Sequence, residues 1–329
     1  MWCDGTPGGL STFGAAIVSY TADGRIAGQR PVSYPSDSEP QYVCGSPRDL
    51  SQQQVRQLFN KDFTLLAGIV RAANGQGRQA TALDLESGQV VGPRPDPDAF
   101  GVAPRHSSPV FQSGTDLLWY QDQDRRIWSR DARATQAPAP ERGRSAGNGF
   151  MLEGSTVWTP LSWSMLSASA EAIAPGGAIA AVFDEVWGLH LVRNGQEDTD
   201  TPKLGPSRYG DKNLPGSDRV PDGCSPRFWS GPTVLVCANA RALVRVTFAA
   251  DHGSVTRVES LLPENDRDNS EAVLAADGRT AYFVSRAGSG PPALYRLALD
   301  TPNAVPAKVV DLSGPANARS AQLHLLATQ

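Results

Sequence analysis

The chain has 329 residues, 40% of them hydrophobic, and a formal net charge of −4. That charge gives no electrostatic case for nucleic acid or an anionic membrane surface as a partner, and no apolar run approaches the ~18 residues a membrane span needs. Gly 32 and Pro 26 make up about 18% of the chain against about 12% in average usage, a composition of short strands and tight turns.

The chain starts Met1, Trp2, Cys3, Asp4, and its first apolar run, 13–20, is short and strand-like, so no secretory leader is legible. The expectation is the mature part of an exported protein whose targeting segment has been removed. Residues 15–20, a turn at Ala22-Asp23-Gly24 and residues 25–32 form the first hairpin. Residues 49–59, DLSQQQVRQLF, follow with Asp49 or Ser51 as cap and Val55, Leu58 and Phe59 on one face, which predicts a short helix between repeat units. Residues 63–71, 80–85 and 89–92 then read as a three-strand meander.

From there four windows superpose on Gly114, Gly176, Gly231 and Gly278, at intervals of 62, 55 and 47 residues. In each, an apolar run begins three residues after the glycine and a further strand follows (126–131, 188–193, 242–248 and 293–299). Three or four strands per unit at a loose period is the signature of propeller blades. Segments 132–149 and 196–223 are rich in Pro, Gly and polar residues and read as long loops on a rigid face. The last apolar run, 321–326, is expected to close the ring by adding a strand to the first unit and removing an open edge. The predicted fold is all-β: a six-bladed β-propeller in one domain, 1–329, with an inserted helix and long face loops. Its blades span about 10–34, 62–93, 107–136, 150–195, 222–262 and 268–312, with a closing strand at 320–327.

The clearest unit is 269–300, where Asp277-Gly278 is a strong hairpin signal because both residues tolerate positive φ. Ala276-Asp277-Gly278, the apolar run 281–284 and Leu294-Tyr295 together resemble the TolB-like (WD40-like) propeller repeat, with Ala where that repeat usually has Pro. Residues 81–91, TALDLESGQVV, look like a strand pair of quinoprotein- or YVTN-type propellers. The resemblance implies propeller architecture; such repeats occur in binding scaffolds, peptidase-associated gates and sensor ectodomains, so it does not choose an activity.

Chemistry-bearing residues are sparse. Cys3, Cys44, Cys224 and Cys237 show no CxxC spacing and no neighbouring His, which argues against zinc and for two disulfides in an oxidising compartment. If the hairpin of the unit 222–262 turns at Ser230-Gly231, residues 224 and 237 face each other across it, although Pro232 lacks the N–H that register needs. Cys3 with Cys44 is left by elimination. His106 precedes a strand at a face where propellers bind ligands, and a lone loop histidine is ordinarily solvated; His190 alternates within an outer strand. No Gly-Xaa-Ser-Xaa-Gly elbow or phosphate loop is present. The segment 264–269, ENDRDN, has oxygen ligands at alternate positions but neither the glycine nor the distal glutamate of an EF-hand.

No catalytic group, metal or cofactor is therefore expected. The reading is a non-enzymatic extracytoplasmic binding or scaffold domain at the cell envelope, monomeric, with a protein or cell-surface ligand as partner and no membrane insertion. Residues at the starts of innermost strands, Glu171, Arg227, Asn269 and Glu271, are candidates for the ligand face, with Trp158 and Trp163, which flank Pro160, as an aromatic pair. The alternative is a propeller hydrolase or lyase with a channel-bound metal.

Overall fold

Wherever turn residues separate two apolar runs the chain doubles back, and seven antiparallel sheets result among the described residues. The computed structural model describes residues 2–3, 15–32, 38–39, 52–72, 77–93, 104–112, 115–124, 126–134, 143–146, 149–152, 158–160, 168–176, 178–184, 188–193, 202–205, 212–263, 265–312, 323 and 325–326. The first sheet holds β1 (Trp2–Cys3), β2 (Ala15–Tyr20) and β3 (Ile26–Val32). The second holds β4 (Ser38–Glu39), β5 (Leu65–Arg71), β6 (Arg78–Asp84) and β7 (Val90–Val91). The third is β8 (Ser107–Phe111), β9 (Leu117–Gln121) and β10 (Ile127–Asp131). The fourth is β11 (Gly143–Ala146), β12 (Gly149–Leu152) and β13 (Trp158–Pro160). The fifth contains β14 (Ala168–Ile173), β15 (Ile179–Asp184), β16 (Gly188–Arg193) and β17 (Lys203–Leu204). The sixth contains β18 (Ser225–Gly231), β19 (Val234–Ala238), β20 (Leu243–Phe248) and β21 (Val255–Ser260). The seventh contains β22 (Asp268–Leu274), β23 (Thr280–Arg286), β24 (Ala293–Ala298) and β25 (Ala307–Asp311).

Every sheet is a meander in which each strand pairs with its neighbour in sequence. The Asp277-Gly278 turn shows why: Gly278 takes φ 67°, and the Asp277 carboxylate accepts the N–H groups of Arg279 and Thr280 at 2.8 and 2.9 Å. The six units expected are not what the structure shows: the described residues form seven sheets. The additional one, β11–β13, starts inside the expected loop 132–149 and takes the beginning of the expected unit 150–195. Its strands GRSA, GFML and WTP are too short to alternate visibly in sequence. The expected loop 196–223 likewise supplies β17 and a 3-10 turn, Ser217–Arg219.

The sheets pack on one another through apolar seams. Leu65 and Ala82 of the second meet Phe111 and Leu118 of the third; Ala172 and Leu191 of the fifth meet Trp229 and Leu235 of the sixth; Val236 and Leu243 of the sixth meet Phe283 and Leu297 of the seventh. The first sheet touches both its chain neighbour and the last sheet. Ile17 and Val32 join Leu66 and Leu83, while Val18 and Tyr20 lie against Leu294 and Leu312. Gly24, at φ 86°, lets the β2–β3 turn approach β25 so closely that a Cβ would stand 2.8 Å from the Val309 carbonyl.

The predicted helix is α1 (Gln52–Gln57), between β4 and β5. Val55, Leu58 and Phe59 are fully buried as the periodicity required, and α1 also touches β14 of the fifth sheet. The closing strand expected at 320–327 falls mostly outside the described residues. Leu323 makes a single β-bridge, and Leu323 and Leu325 pack as side chains between the seventh and first sheets. Residues 320–322, 324 and 327 lie outside the described residues.

Cys224 and Cys237 form the expected disulfide, with Cα atoms 5.4 Å apart. The register behind that expectation is off by two residues. Gly231 pairs with Val234, and Cys237 faces Pro226 while Cys224 lies just before β18. The two-residue turn sits at Pro232-Thr233, where proline's missing N–H costs the ladder nothing, and skipped residues at Ser230 and Arg227 bring the offset back to two at Cys237. Cys44 lies outside the described residues.

Candidate functional site

Pairing slips in the first strand of four sheets: between Ser107 and Val110 in β8, Ala168 and Ala170 in β14, Pro226 and Phe228 in β18, and Asn269 and Ala272 in β22. A bulge leaves residues out of the ladder and turns their side chains in a new direction. Arg227 and Ser230 are skipped in β18, and Glu271 is one of two skipped in β22. The two strands touch. Burial pulls the Arg227 guanidinium below its ordinary range, and the Glu271 carboxylate opposes that fall. The Arg227 Nε has no hydrogen-bond partner, whereas a Glu271 oxygen accepts the Leu325 N–H at 3.3 Å. The two sequence-selected charges are thus brought together, with the C-terminal segment on the acidic one.

The remaining candidates separate. Asn269 is 4% exposed. Its Nδ2 donates to the Arg241 carbonyl at 2.9 Å and to Asn265 Oδ1 at 3.0 Å, and its backbone N–H donates to the Ala240 carbonyl at 2.8 Å. It rivets the seventh sheet to the sixth. Glu171 lies in β14 opposite Val182, and Trp158 lies in β13 opposite Met151; their side chains, and all of Trp163, fall outside the described residues. In the acidic loop, Asn265 Oδ1 already accepts the Arg267 N–H at 3.1 Å.

His106 is built into the seam between the second and third sheets. Its Nδ1 accepts the Ala80 N–H at 3.2 Å, and its ring lies 4.5 Å from that of Tyr120. Burial pulls its pKa down to about 4, with Arg130 adding to the fall and Asp122 opposing it, so the ring is neutral at pH 7. Burial likewise pushes Tyr120 up to about 12. Beside them Arg130 is buried and donates to the carbonyls of Ala80 at 2.9 Å and Ala132 at 3.0 Å. Gly92 makes room for it: a Cβ there would stand 2.6 Å from the guanidinium. His190 is buried, with Nδ1 3.1 Å from the Gly188 carbonyl.

Sequence reasoning missed a cleft of about 420 Å³ where the seventh sheet meets the first. Ile17, Val18 and Tyr20 of β2 form one wall, and Val273, Tyr282 and Leu294 form the other. Leu323, Leu325 and Leu326 line it from the C-terminal segment, and Arg30 and Asp62 lie at its exposed margin. No local sequence signal marks it, because its walls come from opposite ends of the chain.

No protein-family model matches the chain, and no curated protein sequence does. Among solved structures it is similar to TolB from Acinetobacter baumannii, with 11% identity and a TM-score of 0.35 over 78% of this chain and 52% of that one. The chain thus spans about half the length of that TolB. A putative TolB from Agrobacterium tumefaciens is similar at 13% identity and a TM-score of 0.39, over 82% of this chain and 83% of its own. An oligogalacturonate lyase in complex with manganese is similar at 10% identity and a TM-score of 0.42, over 92% and 74% of the two chains. The chain is similar to TolB-like propeller proteins; at these scores the likeness carries no argument about what it does, and the functional reading rests on its own residues.

Proposed function

We propose that the protein is a non-enzymatic, extracytoplasmic binding or scaffold propeller, one domain of seven blades. Its partner, a protein or cell-surface ligand, meets the face where the first strands begin. The observation that carries this reading is the pair of bulges that turn Arg227 and Glu271 out of their ladders and towards each other. A bulge costs ladder hydrogen bonds, and it is kept where it re-aims a side chain to a purpose. Elsewhere in the frame the buried polar groups are engaged in joining sheets: Asn269 to the sixth, Arg130 to the second, and the Trp229 Nε1–H to the Ala172 carbonyl at 3.0 Å. Such groups make a rigid frame that presents a face. The Cys224–Cys237 disulfide supports an oxidising compartment, and no helix among the described residues is long and apolar enough to cross a membrane.

The test is capture from native envelope extract with the purified chain, using Arg227→Ala and, as a control on an exposed turn, Arg279→Ala. A partner retained by the wild type and the control but lost by Arg227→Ala supports the reading. Equal capture by all three removes this face as the docking surface. Hydrolase or lyase turnover that disappears with chelator would replace the reading with the metal-channel enzyme.

A further inference from the structure

We propose that the cleft between the seventh and first sheets is a binding site for an aliphatic carboxylate, its chain between the β2 wall and the β22–β24 wall and its head at Arg30. The first observation is a contrast in filling. The seam between the fifth and sixth sheets is occupied by Trp229 and Phe248, 5.6 Å apart, and that between the sixth and seventh by Phe283 and Tyr295, 5.7 Å apart. At the seam between the seventh and first, Val18 and Ala275 leave about 420 Å³ open. Ligand pockets commonly run from about 300 to 1,000 Å³ and are mostly apolar with a few convergent polar groups. Here Ile17, Leu294 and Leu325 supply apolar lining, and the rings of Tyr20 and Tyr282 stand among them.

The margin chooses the head group. Arg30 is exposed and forms no ion pair among the described residues. Asp62, the acidic residue of the lining, exerts its charge on the buried Arg56 guanidinium. The cation at the mouth is therefore the group left to meet a ligand, and a carboxylate suits it. An unbranched chain suits walls lined by leucine, valine and isoleucine. The cleft borders the Arg227–Glu271 face through Leu325, whose N–H Glu271 accepts, but its tests change Arg30, Val18 and Ala275, so either proposal can fail without the other.

The probes are dodecanoate and its uncharged counterpart dodecanol, titrated into the full chain by calorimetry. The expected result is one dodecanoate per chain, with dodecanol weaker by about threefold to fivefold, the range of an exposed ion pair. Arg30→Gln should reduce dodecanoate to the dodecanol level and leave dodecanol unchanged. Ala275→Trp fills the cleft and should abolish both; Val18→Phe does the same from the opposite wall and decides the matter if the tryptophan variant does not fold. No binding by the wild type overturns the site. Binding that survives in a folded filled variant places the ligand elsewhere and overturns it equally. Dodecanol binding as tightly as dodecanoate, unaffected by Arg30→Gln, overturns the carboxylate class.

Discussion

Two seams of the same molecule are built differently. Between the fifth and sixth sheets, consecutive in the chain, Trp229 is inserted edge-on and packs against Phe248, 5.6 Å away, and His252, 5.8 Å away, with its Nε1–H on the Ala172 carbonyl. The His252 Nε2 in turn meets the Pro232 carbonyl at 2.9 Å, and the Cys224–Cys237 bridge lies in the same cluster. Between the seventh and first sheets, which the chain joins only by bringing its two ends together, half-buried aliphatic residues and a stretch of C-terminal leucines meet across an open cleft. Sheets adjacent in sequence find each other at little entropic cost and can be locked by one large side chain. Sheets from opposite chain ends are brought together over the longest loop, and here they are held by many small contacts.

The largest expected effect breaks the first seam. Trp229→Ala removes a buried indole and its hydrogen bond to the Ala172 carbonyl, which should cost about 3–5 kcal/mol by chemical denaturation. The paired change Leu323→Ala with Leu325→Ala at the other seam should cost about 2 kcal/mol, because both side chains are only half-buried. Equal losses would mean that the two seams are energetically alike and that the contrast is one of shape alone.

The next effect is covalent. Replacing both Cys224 and Cys237 by alanine opens a loop of 13 residues in sequence and should lower stability by about 3 kcal/mol. Measured against reduced wild type, the double variant should show no further loss; an additional drop would assign the effect to packing around the sulfur atoms within the cluster.

That disulfide also shows where the sequence is legible and where it is not. Hairpin position follows from turn residues and apolar runs, so the runs beginning at Leu117, Ile179 and Val234 match the starts of β9, β15 and β19. Register does not follow, because a bulge at Arg227 and a proline at 232 shift the pairing without changing the pattern. The fourth sheet escaped detection because strands of three or four residues show no period that a turn-rich loop could not mimic. Arg227 and Glu271 were selected as residues at strand starts, a rule that also selected Asn269, whose side chain serves the frame. Strand position places a residue near a face; the bulge decides where it points. The cleft was illegible for a third reason: it is defined by missing volume between residues from opposite ends of the chain, and missing volume has no local signature.

The smallest effect separates a third kind of seam from both. Between the second and third sheets the filling includes a polar ring, His106, held neutral by burial with its pKa down at about 4. The unfolded chain takes up that proton near pH 6.5, the native chain only near pH 4, so the unfolded state binds more protons in between. Stability contributed by the neutral ring is thus fully present above about pH 6.5 and is lost as pH falls towards 4. Discounted for a ring that is only half-buried, the loss should be about 1.5 kcal/mol. His106→Gln keeps an acceptor within reach of the Ala80 N–H and removes the titration. Its melting temperature should sit below wild type at pH 7 and converge on it as pH approaches 4. If the two curves run parallel across that window, the ring protonates without penalty and the polar seam is no more sensitive to acid than the aromatic one at Trp229.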